Sequence, residues 1–320
     1  MIMVWSWKNW NRKIIIMKSN ALLLIILFVT ISVFAQVKVK KSEQGFLFTE
    51  NNKKILFYQV EPKNHKGKYE RCNYIHPLWG IDGAVLTEDF TADHLHHRGI
   101  FWAWHQLLID DKSIGDGWAL ENFKQEILNV NFESLKDGSV LLKAQVEWKS
   151  NKLYPEGKEV AFLLENTSTT IHKMKKNYRK IDFEISLLAL VKDLKIGGSD
   201  DKKGYGGFSA RIVLPDDVKF SGTLGDITPL KTAVKSDGFV NISGSLGKDS
   251  SNAGIVIVDH PQNPMYPQSW ILRKSKSMQN TVFPGRDPIA ISAKNPLILK
   301  YSILVYSGEL SNEKIKEIME

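Results

Sequence analysis

The segment from Tyr178 to Leu190 constrains the fold more than any other. Ile181, Phe183, Ile185, Leu187 and Ala189 alternate there with Lys180, Asp182, Glu184 and Ser186. A period of two defines a strand with one buried and one wetted face. Its apolar face demands a second layer. The chain supplies further strands. Phe46–Phe48 and Lys54–Val60 flank the polar turn Glu50-Asn51-Asn52-Lys53 and predict a hairpin. Glu126–Glu133 and Ser139–Trp148 form a second pair around Lys136-Asp137-Gly138. Shorter runs follow at Lys158–Leu164, Ser209–Leu214, Gly254–Val258 and Leu297–Tyr306. Only the last ten residues read as helix, with Ser311 as N-cap and Ile315 and Ile318 on one face. Many short strands with turn signals and almost no helix predict an all-β sandwich with one short C-terminal helix.

Residues 1–35 are expected to lie outside this fold. Ala21–Phe34 is a nearly unbroken apolar run behind a short basic start, and Val33-Phe34-Ala35 resembles a cleavage site before Gln36. The run falls short of the roughly 20 residues of a spanning helix. An exported chain of residues 36–320, forming one sandwich domain with no stable membrane span, is the expectation. The leader carries four basic residues and no acid, so its removal leaves 39 basic against 35 acidic residues. That balance gives no argument for nucleic acid as a partner. Cys72 is the single cysteine, so stability must come from a core.

The residues richest in chemistry lie between Tyr74 and His105. His76, His94, His96, His97 and His105 fall there, five of the eight histidines of the chain, with Trp79, Trp102 and Trp104. Packing alone gives no reason for such crowding. Strand signals begin only at Gly99, where Ile100, Trp102 and Trp104 share a face. The histidines therefore sit on a long loop entering a strand, and long loops inside compact domains tend to be functional.

Two chemistries stay open for them. The spacing His94-x-His96-His97 can ligate a divalent metal such as zinc, copper or iron. Alternatively, His97 beside Arg98 acts as a general acid or base, oriented by Asp93 or Asp259, with His94 a further catalytic candidate, while the planar fork of Arg98 holds a carboxylate or vicinal hydroxyls. Trp118, in a glycine-containing loop, is a candidate to stack on a sugar face. Core packing is the stronger reading for Trp102 and Trp104. Asp259 and His260, where a buried strand meets a proline-rich loop, and Arg286 are candidates at the sandwich rim, and His76 is a further substrate-binding candidate. Gly204-Tyr205-Gly206-Gly207 lacks the Lys-Ser/Thr of a phosphate loop and reads as a bulge or tight turn.

Tyr74-Ile75-His76-Pro77-Leu78, Asp93-His94-Leu95-His96-His97-Arg98-Gly99-Ile100-Phe101-Trp102, Gly204-Tyr205-Gly206-Gly207-Phe208 and Asp259-His260-Pro261-Gln262-Asn263-Pro264 together resemble the PmoA-like family, also called DUF6807. The resemblance spans nearly all of the chain after the leader. It implies a supersandwich of the galactose-mutarotase type and a carbohydrate ligand. The family label also suggests a copper or iron oxygenase, yet methane oxygenase subunits of that name span membranes repeatedly. Residues 36–320 contain no apolar stretch of about 18 residues. The leading expectation is a carbohydrate-acting hydrolase, lyase or isomerase. A non-catalytic carbohydrate-binding protein is the alternative.

Overall fold

The computed structural model describes residues 36–319. The expected leader lies outside them. Two antiparallel nine-stranded sheets make up most of the structure. The first runs in the order Val37–Lys41, Gly45–Glu50, Lys53–Gln59, Tyr74–Leu78, Ile100–Ala103, Gly207–Ala210, Gln279–Val282, Ser269–Ile271 and Val234–Lys235. The second runs Lys124–Ser134, Val140–Ser150, Val160–Ile171, Tyr178–Ala189, Leu297–Ser307, Ala253–Asp259, Phe239–Gly244, Lys219–Gly222 and Gly225–Asp226. A four-stranded sheet built on Gln106–Ile109 and Leu194–Gly197 lies beside them. The protein is an all-β sandwich with one α-helix, Asn312–Met319, among the described residues.

The alternation along Tyr178–Ala189 explains the packing. Ile181, Phe183, Ile185, Leu187 and Ala189 are all buried, and the residues between them are not. They meet the first sheet in one continuous core, where Trp102 packs edge-on against Phe183, and Phe208 stacks on Tyr301 at 4.7 Å. The C-terminal helix is capped as expected: Ser311 Oγ accepts the amide of Lys314, and Ile315 is fully buried. Among the described residues no helix is long and apolar enough to cross a membrane.

One strand places the site. Ile100 and Trp102 point into the sandwich core, while Phe101 and Ala103 point to the opposite face of the first sheet. That outer face is not wet. Phe101 and Ala103 are buried there with Tyr74, Trp118, Ile271 and Met278, under the loops that follow the strands.

Gly99 sets how closely the histidine loop approaches the sheet. A methyl group at Gly99 would lie 2.1 Å from the Ile75 carbonyl oxygen and 2.9 Å from Cβ of His76. Gly99→Ala is expected to destabilise by roughly 2–4 kcal/mol, because the obstacle is backbone that cannot yield. Thermal unfolding should drop by about 5–10 °C. An unchanged midpoint would mean that the loop and the Tyr74–Leu78 strand are not seated together.

Candidate functional site

The loop from Asp89 to Arg98 folds back on itself through two tight turns. The His94 amide donates to the Thr91 carbonyl, and the His97 amide donates to the His94 carbonyl, each at 3.0 Å. His94, His96 and His97 are thereby brought together. The rings of His94 and His97 stack at 4.5 Å and 3°, and His96 stands edge-on to His97 at 4.6 Å. Arg98 lies inside the loop rather than in front of it. It is fully buried, donates to the carbonyls of Leu95, His97 and Tyr69, lies 3.3 Å from Asp89, and covers the Phe90 ring at 3.6 Å. The expected substrate-gripping arginine is instead the loop's internal brace.

Hydrogen-bond partners fix the tautomers of three histidines. His94 Nδ1 lies 2.9 Å from Asp93 Oδ2, and His105 Nδ1 lies 2.8 Å from Asp116 Oδ2. A carboxylate accepts, so each ring in its neutral form carries its proton on Nδ1 and leaves Nε2 with its lone pair. His97 is the reverse. Its Nδ1 accepts from Arg211 Nη1 at 3.2 Å, so the neutral ring carries its proton on Nε2. Arg211 is the hub of the arrangement. It is 1 % exposed, donates through Nε to Glu88 at 2.7 Å, and donates through Nη2 to both oxygens of Asp93 at 3.1 Å. Asp116 is also fully engaged, accepting the amides of Trp118 and Ala119 on its other oxygen.

The electrostatics follow from this crowding. Burial, with the neighbouring His94, Arg71 and His105, pushes His96 down to about 4. Burial and the neighbouring His96, His94 and Arg211 push His97 down to about 2. Both rings are neutral at neutral pH. Burial works to raise the Asp93 carboxyl, but hydrogen bonds from His94 and Arg211 outweigh it and hold it well below the usual carboxylate range. His96 makes no hydrogen bond among the described residues, and it is half-buried.

The folded pKa of His96 lies below the ordinary value of 6.5, so the unfolded chain binds the proton more tightly. The neutral ring costs nothing above pH 6.5, and stability is lost as pH falls from there toward 4, by about 3 kcal/mol at most for this group. For His97 the loss continues to lower pH. Glu165 and Asp259, whose carboxyls burial holds above their ordinary range, slope the opposite way. The comparison that isolates the histidines is therefore the wild type against a His96→Asn, His97→Asn double variant. Its midpoint should fall less between pH 6.5 and 4. Parallel curves for the two proteins would refute the depressed values.

The structure distributes the other expected site residues as follows. The trio His94, His96 and His97 is not arranged as a metal centre. Stacked rings direct their in-plane lone pairs along parallel planes rather than at one point, and His97 Nδ1 is occupied by Arg211. Among the described residues no group of three or more His, Cys, Asp or Glu side chains is placed to hold a metal ion. Trp118 is 1 % exposed, stacks on His105 at 5.5 Å and meets His97 edge-on at 5.9 Å. It buttresses the histidines and offers no open face to a ligand. His76 shares a 3.0 Å hydrogen bond with Thr87, and burial lowers its pKa. Asp259 belongs to the second sheet. Its oxygens accept Asn263 Nδ2 and the Gln268 amide, both at 2.8 Å, so it ties down the proline-rich loop and does not orient a histidine. His260 is half-buried beside it and accepts the Gln262 amide. Arg286 is exposed and pairs with Asp200 at 2.7 Å.

Sequence reasoning missed Arg211, Asp116, Tyr205 and Arg71. Tyr205 packs edge-on to both Trp118, at 5.0 Å, and His105, at 4.9 Å. Its flanking glycines were a signal, read only as turn chemistry; Gly204 and Gly207 do have φ of +58° and +94°. Arg211 follows a short strand and has no local signal.

A carboxylate-anchored histidine cluster on the outer face of a sheet makes this a sandwich protein with a loop-built polar site. The chain belongs to the family of unknown function DUF6807, whose model matches residues 47–320. No curated protein matches it.

Proposed function

We propose that the protein is an exported enzyme that acts on a carbohydrate by acid–base chemistry, through hydrolysis, elimination or isomerisation. The observation that carries this reading is the opposed tautomers of the stacked pair. His94, oriented by Asp93, presents an Nε2 lone pair, while His97, oriented by Arg211, carries Nε2–H. One ring can take a proton while its neighbour donates a hydrogen bond to the oxygen on which charge develops. His94 is the accessible member, with 42 % of its side chain exposed. Asp93 fixes the tautomer and supports the imidazolium that forms, and it acts as a positioning residue. A polyhydroxylated ligand suits a surface that alternates imidazole nitrogens with the half-buried Tyr205. The kinship to mutarotase-like supersandwiches and the export through residues 1–35 are parts of this proposal.

The test is turnover by purified residues 36–320 across a panel of glycans and keto-sugars in deuterated buffer, followed by NMR. Cleavage, a new double bond or deuterium gained at a sugar carbon, lost in His94→Asn while ligand affinity persists, supports the enzyme. Sugars that bind without any turnover would make this a carbohydrate-binding protein instead.

A further inference from the structure

The described residues contain six arginines, and four of them pair with carboxylates: Arg98 with Asp89, Arg179 with Glu50, Arg211 with Glu88 and Asp93, and Arg286 with Asp200. Arg71 and Arg273 do not. Both bond only to backbone carbonyls, and both border the buried outer face of the first sheet. Arg71 Nη2 donates to the Gly117 carbonyl at 2.6 Å, its guanidinium covers the Phe101 ring at 4.8 Å, and its Nε has no partner. The side chain is 1 % exposed. Arg273 donates to the carbonyls of Leu230, Lys231 and Leu272, each at 2.8 Å.

A buried guanidinium without an anion is costly, because desolvation is not offset by an ion pair. The carboxylate that acts on Arg71, that of Asp116, is already committed to His105, Trp118 and Ala119. Arg71 also acts on His96, whose ring makes no hydrogen bond among the described residues. Arg71 and His96 thus both answer to the same carboxylate, Asp116, whose two oxygens are already engaged. A planar guanidinium fork matches an oxyanion with two oxygens.

We propose that the ligand of this site is an anionic sugar, whose carboxylate or sulfate ester is held by Arg71. This rests on the carbohydrate reading above and narrows it. On a longer chain Arg273 would meet a second anionic group.

Calorimetric binding at about 0.15 M salt, where long-range attraction is screened, separates the two claims. Matched pairs differ only in charge: oligogalacturonate against its methyl ester, and a sulfated against a desulfated galactan oligosaccharide. The anionic member of one pair should bind at least about tenfold more tightly, and which pair shows it identifies the anion. Arg71→Met should erase that preference, and Arg71→Lys should restore part of it. Equal affinity within both pairs, or a preference that survives Arg71→Met, overturns the anionic proposal and leaves the carbohydrate reading standing. Binding of no sugar in either pair, with none bound or turned over in the wider panel, overturns both. Should Arg71→Met not fold, the wild-type ratio and Arg273→Met decide, because a ratio near one is itself a refutation.

Discussion

Replacing Glu165 with alanine is expected to cost roughly 3–5 kcal/mol, the range for breaking a buried charged network by removing one member. Glu165 is fully buried in the second sheet. Its Oε1 accepts Asn73 Nδ2 at 2.7 Å and Thr167 Oγ1 at 2.6 Å, and its Oε2 accepts Trp148 Nε1 at 2.8 Å. Asn73 accepts the hydroxyl of Tyr58 in turn, at 2.8 Å. Tyr58 and Asn73 belong to the first sheet and its connections, so this carboxylate pins the two sheets together. Alanine would leave three donors without an acceptor inside the core. Glu165→Gln keeps the shape and one acceptor oxygen, loses the acceptor for Trp148, and removes a charge that burial disfavours. Its cost should be roughly 1–2 kcal/mol. Denaturant unfolding of both variants gives the comparison. Equal small losses would mean that the network contributes nothing beyond packing. Asn73 lies two residues from Arg71, so Glu165→Ala should also weaken ligand binding, whereas Glu165→Gln should not.

What was legible in the sequence depended on whether one face of an element is wet. Tyr178–Ala189 and Val140–Ser150 alternate because water lies on one side, and the bounds expected from their pattern fall within a few residues of those found. Gln279–Val282 could not be found that way. Gln279, Asn280 and Thr281 are buried yet polar, and Asn280 Nδ2 is satisfied by the carbonyls of Gly206 and Phe208. A strand whose polar side chains bond backbone carries no apolar period. Tyr74–Leu78 was hidden among the histidines, where side-chain chemistry masks the pattern. The site was half legible for a related reason. Crowded histidines and the adjacent Asp93 are local features. Arg211, which meets His97 across 114 residues, and Arg71 are set by strand order alone. Asp259 misled because a carboxylate at a strand end looks the same whether it faces a site or caps a loop.

The largest effect on activity is expected from the Asp93–His94 pair. His94→Asn removes the accessible Nε2 lone pair and should lower kcat by about 10²–10⁴, the usual contribution of a positioned general base, with little change in KM. Asp93→Asn should lower kcat comparably while leaving the imidazole in place. An amide that donates to Nδ1 favours the wrong tautomer, and Arg211 loses the carboxylate that both its Nη2 contacts reach. His97→Asn removes the Nε2–H donor together with the Nδ1 that accepts from Arg211, and should cost about 10²–10³. Asp259→Asn is the contrast. Its partners are Asn263 and Gln268 in a structural loop, so stability should fall by about 1–3 kcal/mol with kcat unchanged. Activity that survives in Asp93→Asn and His94→Asn but vanishes in Asp259→Asn would move the chemistry to the proline-rich loop. Non-additive losses in the Asp93→Asn, His94→Asn double variant, no larger than in either single one, would mark the two residues as one catalytic unit.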